Sequence, residues 1–172
     1  MIKILRRVLM IGLCMLSMFI FVGCKKDPTI EILQQFIIKQ VDCKTYLDAK
    51  GDEKVLKETF STYFTEETYQ KYLDDVTGYM YPQLYYITNA AEVKIKSIVC
   101  NKVTPQMNDF KTYSFTVNYQ IVPQKIDGKK PKNIAMSDDT LITINAANKI
   151  QEVVILNTSD IIGDMFLDIK VQ

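Results

Sequence analysis

Apolar residues recur at Ile30, Leu33, Phe36, Ile37 and Val41 with the three- and four-residue spacing of a helix face. Asp27-Pro28 stands before them as an N-cap followed by proline at the first helical position, so the pattern predicts a first helix running to about Leu47. Ala49-Lys50-Gly51-Asp52 breaks it. Val55, Leu56, Phe60, Tyr63 and Phe64 predict a second helix of about ten residues. Thr65 caps a third, with Glu66 and Glu67 in a first turn that favours acids and Tyr69, Tyr72, Leu73 and Val76 as its buried stripe.

From about Ala91 the period falls from 3.6 to 2. Val93, Ile95 and Val99 alternate with Glu92, Lys94 and Lys96. Tyr113, Phe115, Val117, Tyr119 and Ile121 alternate with Ser114, Thr116, Asn118 and Gln120, which predicts a strand with one buried face and one wet face. A polar connection containing Asp127-Gly128 and Pro131 follows. Leu141 to Asn145 and Ile150 to Leu156 then read as a hairpin over Ala146-Ala147-Asn148. Helices first and antiparallel strands afterwards is the order of an α+β fold: about three N-terminal helices packed on a curved, four-stranded antiparallel sheet.

The first residues follow a different pattern. Lys3, Arg6 and Arg7 precede an apolar run from Val8 to Val22, and small Gly23 leads to Cys24 and the polar Lys25-Lys26-Asp27. This is a secretory signal layout, and the run is shorter than the roughly 20 apolar residues of a spanning helix. Phe21-Val22-Gly23-Cys24 resembles a bacterial lipobox, although Phe21 and Val22 are not the commonest residues there. The resemblance implies cleavage between Gly23 and Cys24 and acylation of the Cys24 thiol. The expected organisation is a signal peptide over 1–23, a lipidated tether over 24–27 and one domain over 28–172. The protein is then expected on the extracytoplasmic face of a cell membrane, held by a lipid anchor.

Removing the leader changes the charge reading. The whole chain has 21 Lys and Arg against 20 Asp and Glu, but both arginines and one lysine lie in the leader, leaving 18 Lys against 20 acids. Without arginine the domain has no bidentate clamp for phosphate or guanine, and a nucleic-acid partner is not expected. The chain has no histidine, which removes Ser-His and Cys-His nucleophile pairs and His-containing zinc sites. Nothing in the sequence implies a cofactor or a metal.

The order of three helices and four strands, carried by Val55 to Leu156 and above all by Phe60-Ser61-Thr62-Tyr63-Phe64-Thr65-Glu66-Glu67 leading into a capped helix, resembles the NTF2-like (cystatin-like roll) superfamily. That resemblance implies a cone-shaped sheet that encloses a small-molecule pocket or serves as a docking platform. Enzymes of the superfamily place Asp, His or Tyr in the cone, and here His is missing.

Candidate chemistry is sparse. Eight of the ten tyrosines fall between Tyr46 and Tyr86, and Tyr79, Tyr81, Tyr85 and Tyr86 bunch around Pro82. They read either as the lining of a ligand or partner surface or as large half-buried residues at a helix–sheet seam. Cys43 and Cys100 are free to pair on the oxidising side of a membrane, or to act as small hydrophobes. Asp160, Asp164 and Asp168 would share one helix face, and Glu66, Glu67, Asp74, Asp75, Asp138 and Asp139 read as solvent-facing or capping acids. The functional expectation is a non-enzymatic, membrane-anchored protein that binds an envelope partner or small ligand. Its rivals are a small hydrolase or isomerase using carboxylate and Tyr groups in the pocket, and a subunit of a conjugation or secretion assembly.

Overall fold

The structure, a computed structural model, describes residues 27–49, 52–74, 76–125, 128–129 and 131–156, the side chains of 76–79 excepted. The leader with Cys24, and the segment after Leu156 that carries Asp160, Asp164 and Asp168, lie outside the described residues.

Among the described residues five α-helices precede the sheet: α1 (Pro28–Val41), α2 (Cys43–Ala49), α3 (Glu53–Phe60), α4 (Glu66–Asp74) and α5 (Val76–Ile87). This corrects the expected three. The first predicted helix is split at Asp42, whose backbone turns extended and whose carboxylate accepts the Lys44 amide at 3.1 Å, so one aspartate stops α1 and starts α2. Asp52 starts α3 in the same way through Lys54 N at 2.9 Å. Thr65 and Thr68 exchange amide-to-hydroxyl bonds at the head of α4, a reciprocal cap of the capping-box kind. The fifth helix, α5, contains Pro82 within its span, the residue that argues most strongly against a helix there. It ends where Asn89 takes a left-handed φ of 49°.

The strands β1 (Ala90–Pro105), β2 (Lys111–Pro123), β3 (Ile134–Ile144) and β4 (Ile150–Leu156) form an antiparallel meander in sequence order. On β2 the predicted alternation holds: Tyr113, Phe115, Val117, Tyr119 and Ile121 are buried. On β1 it does not run straight through. Register shifts after Ile95 and after Cys100 each add a residue, so Ile95, Ile98, Cys100 and Val103 stand opposite Tyr119, Val117, Phe115 and Tyr113. Val99 is thereby turned outward and exposed, because one extra residue moves every later side chain to the other face. Strand β3 begins at Ile134, seven residues before the predicted hairpin arm, and places Met136, Asp138, Thr140, Ile142 and Ile144 inward. The β3–β4 turn forms over the predicted residues, with the Asn145 side chain accepting from the amides of Ala147 and Lys149.

The core lies between this inner face and the helices. Helix α1 runs along β1 and fixes itself there through Gln34 Nε2 donating to Ile98 O at 3.1 Å. Phe36, fully buried, meets Phe60, Tyr63, Phe64 and Tyr72 edge-on with centroids 5.4–6.1 Å apart. At the start of α1, Asp27 accepts from Thr29 N at 3.0 Å and from the Tyr113 hydroxyl at 2.9 Å. Burial alone would raise the Asp27 carboxyl, but the bonds from Thr29 and Tyr113 and the charge of Lys111 outweigh it and hold it below 3.8. Burial, followed by the bond to Asp27, pushes Tyr113 up to about 12.

Truncating Phe36 to alanine removes the ring on which these four converge and should cost about 3–5 kcal/mol of stability in urea denaturation. Replacing Asp27 by alanine should cost about 1–2 kcal/mol at neutral pH. A carboxylate depressed by folding stabilises the fold above its ordinary value and ceases to do so as pH falls through its lowered one. The gap between wild type and Asp27→Ala should therefore narrow below pH 3.8, as acid titrations of both proteins would show.

Candidate functional site

The tyrosine cluster divides by helical position. On α5, Tyr81, Leu84 and Tyr85 face inward and are buried, whereas Tyr86 points away from the core and is 88% exposed. Tyr79 lies on the same helix, and its side chain is outside the described residues.

Tyr81 reaches across to β3. Its hydroxyl donates to Asp138 Oδ2 at 3.0 Å, and Tyr119 of β2 donates to the same oxygen at 2.8 Å. Asp138 is 0% exposed, which corrects its reading as a solvent-facing acid. The physical reason is register: with β3 starting at Ile134, Asp138 falls on the inward parity shared by Met136 and Ile142. Burial, and next the charge of Asp138, push both phenols well above their ordinary range, so each remains a proton donor. The Tyr81 and Tyr119 rings meet edge-on at 6.1 Å, and Tyr81 stacks on Tyr85 at 6.0 Å. The group is a carboxylate and two phenols sealed within aromatic packing. Nothing in the sequence joined Tyr81 and Tyr119 to Asp138; period 2 carried back from Ile144 through Ile142 and Thr140 was the signal for the acid.

Tyr85 belongs to a second arrangement. Its hydroxyl donates to the Val41 carbonyl at the end of α1, and its ring forms part of a surface cleft of about 340 Å³. Tyr46 and Leu47 of α2, Pro82 and Tyr86 of α5, and Ala90 at the start of β1 supply the apolar walls. Asn89 and Gln124 supply amides, and among the described residues no charged side chain lines the cleft. Asn89 O holds the Gln124 amide at 2.8 Å, tying the helix–strand corner to the end of β2. Leu47 is 48% exposed, so with Tyr86 it presents an apolar rim to solvent. Such a concavity suits an uncharged group with a flat or apolar face and a few hydrogen-bonding atoms. Tyr85 and Tyr86 were legible from the sequence; Tyr46, Leu47, Asn89 and Gln124 come from separate segments that only the fold brings together.

A cleft of about 320 Å³ between α4 and β4 is lined by Phe64, Thr68, Tyr72 and Val153 with Lys71 and Glu152 at its edge. Lys71 is engaged there with Glu67 at 3.0 Å.

Cys43 and Cys100 are both free thiols. Cys43 lies at the back of the α2–α5 cleft against the Val93 backbone, and burial, followed by the charge of Asp42, raises its thiol above the ordinary value. Cys100 stands seven residues further along β1, about 20 Å at strand rise, where a disulfide needs Cα atoms within about 7 Å. Among the described residues no three His, Cys, Asp or Glu side chains group as a metal site, and no helix is long and apolar enough to cross a membrane.

Compared with known protein families, with curated proteins and with solved structures, the chain matches none.

Removing one phenol from the buried carboxylate should be costly whichever is chosen. Tyr81→Phe and Tyr119→Phe are each expected to lower stability by about 1.5–3 kcal/mol in denaturant melts, because each removes a hydrogen bond to a charged group without opening space. Their double mutant should depart from additivity, since both donate to the same Asp138 oxygen.

Proposed function

We propose that this chain is a lipid-anchored, non-enzymatic binding protein of the extracytoplasmic face of a cell membrane, with an NTF2-like domain that takes a partner or small ligand in the cleft between α2 and α5. The observation that carries the binding reading is Tyr86, 88% exposed on the rim of a cleft that Tyr46, Leu47, Pro82 and Tyr85 also wall. An exposed aromatic beside a preformed apolar concavity is the arrangement of binding hot spots. The NTF2-like reading is supported by the run of helices ahead of a four-stranded antiparallel sheet whose inner face they cover. The anchor reading is supported by the basic leader, its apolar run and Gly23-Cys24.

A hydrolase or isomerase would need its acid open to substrate. Asp138, the carboxylate that meets two tyrosines, is 0% exposed, and one of its oxygens already accepts both phenol protons. That favours binding over catalysis. Were the occupant a protein, the same cleft would serve a subunit of a conjugation or secretion assembly.

Two substitutions separate the parts of this reading. Cys24→Ala should release the protein from the membrane fraction of cells, and a variant that still sediments fully with membranes at normal processing would defeat the anchor. Tyr86→Ala, exposed and expected to leave the fold intact, should reduce capture of the cross-linked partner from intact cells about tenfold or more. Where capture yields no partner, thermal shift of wild type and Tyr86→Ala against cell-wall fragments and metabolites is the corresponding measurement. Equal behaviour of the two proteins would exclude the cleft.

A further inference from the structure

Strand β3 begins at Ile134, but the described part of β4 lies beside it only from Asp139, which faces Leu156. Residues 134–138 extend the β4 side of the sheet by about 17 Å beyond that point. Their inner parity belongs to the core: Met136 is buried, Asp138 is 0% exposed and Ile134 packs against the cluster. The chain leaves β4 at Leu156, in line with this edge, and sixteen residues follow, outside the described ones. An edge of this kind is a template for another strand, and the segment after Leu156 reaches it without closing any loop.

The β3–β4 register, carried forward, would pair Asn157 with Asp138, Ser159 with Met136 and Ile161 with Ile134. The residue types suit these places. Asn157 would set an amide donor on the inner face beside a buried carboxylate, and Ile161 would meet Ile134, whose neighbour on β2 is Ile121. Thr158 and Asp160 would fall on the outer face, whereas a slip of one residue would turn Asp160 into the core. Charge agrees with the same placement. The β2–β3 connection that leads into Ile134 carries exposed Lys125, Lys129 and Lys132, and its Asp127 and Lys130, outside the described residues, cancel one another. Asp160 and Asp164 would arrive at this basic end of β3.

We propose that the edge of β3 over residues 134–138 is a strand-addition site whose occupant is the chain's own segment 157–161, with Asn157 set against Asp138. Main-chain bonds supply the attachment, and the alternation of side chains fixes the register. The segment closes the β4 side of the sheet where β3 outruns the described part of β4.

Paired cysteines in the full-length protein test this. In an antiparallel pair, adjacent positions alternate between close and wide spacing, so Ile134→Cys/Ile161→Cys and Ala135→Cys/Asp160→Cys together cover both geometries. Under mild oxidation at least one of these pairs should bond in more than about half of the chains, and the out-of-register pair Ala135→Cys/Ile161→Cys about fivefold less, as peptide mapping by mass spectrometry would show. Adding Asn157→Asp to the pair that bonds should lower its yield about fivefold or more, because two carboxylates would then face one another. No bond in either in-register pair overturns the docking. Equal yield from the out-of-register pair overturns the register, and an unchanged yield with Asn157→Asp overturns the placement of Asn157. Bonds joining isotopically labelled to unlabelled chains in a mixture would assign the edge to a second copy and overturn the chain's own segment as occupant.

Discussion

A carboxylate on the inner face of a sheet is tolerated only where hydrogen bonds replace its water, and the seating of Asp138 organises much of this domain. Tyr119 supplies a bond from β2, and Tyr81 supplies a second from α5. The first holds only in the observed β2–β3 register, where Met136 faces Tyr119 and Asp138 faces Val117, because a one-residue slip would send Asp138 to the outer face. The second fixes α5 over the sheet at one rotation about its axis. Tyr85, four residues on from Tyr81, is then directed at the Val41 carbonyl, and Tyr86 is directed outward. The cleft is thus a consequence of how a buried charge is satisfied. Its walls on α5 are set by a bond made deeper in the core.

The same packing explains why the interior offers chemistry without access. Phenols held in their protonated form beside a carboxylate would be a competent acid group in an open site. Here Tyr81 and Tyr119 are closed over by one another and by Tyr85, and Asp138 lies beneath them. A polar network of this kind specifies a single arrangement of strands and helix more than it adds net stability.

Most of the strand content was legible because β2 has a strict period of 2, with aromatic and β-branched residues on one parity and hydroxyls or amides on the other. β1 was legible only as far as the bulge after Ile95, since Val99 carries the apolar character that the structure assigns to Ile98 and Cys100. The start of β3 was hidden because Ser137, Asp138, Asp139 and Thr140 are polar on both parities, and the inward acid reads as a loop until its tyrosine partners are known. Pro82 concealed α5, and Asp42 concealed the boundary between α1 and α2, each through a backbone effect that periodicity does not register. The candidate site was half visible: a tyrosine cluster can be counted, but which member faces out depends on α5 being a helix.

The long first strand relates the proposed anchor to the proposed binding cleft. Ala90, at the head of β1, walls the cleft; Cys100, ten residues on, lies beside the Asp27–Tyr113 tie, a separation of about 30 Å at strand rise. Neighbouring β2 pairs with β1 along its whole length, so the separation is rigid on the scale of the hydrogen-bonded sheet. A domain anchored ahead of Asp27 would then hold Tyr86 and Leu47 well clear of the headgroups, beyond the roughly 10 Å over which lipid charge acts. An occupant of the cleft would approach from the aqueous side, as a soluble molecule or an envelope protein and not as an embedded lipid. The described lining of the cleft, apolar walls with the amides of Asn89 and Gln124, fits that separation, since apolar contact and amide hydrogen bonds are left largely unchanged by salt and surface potential.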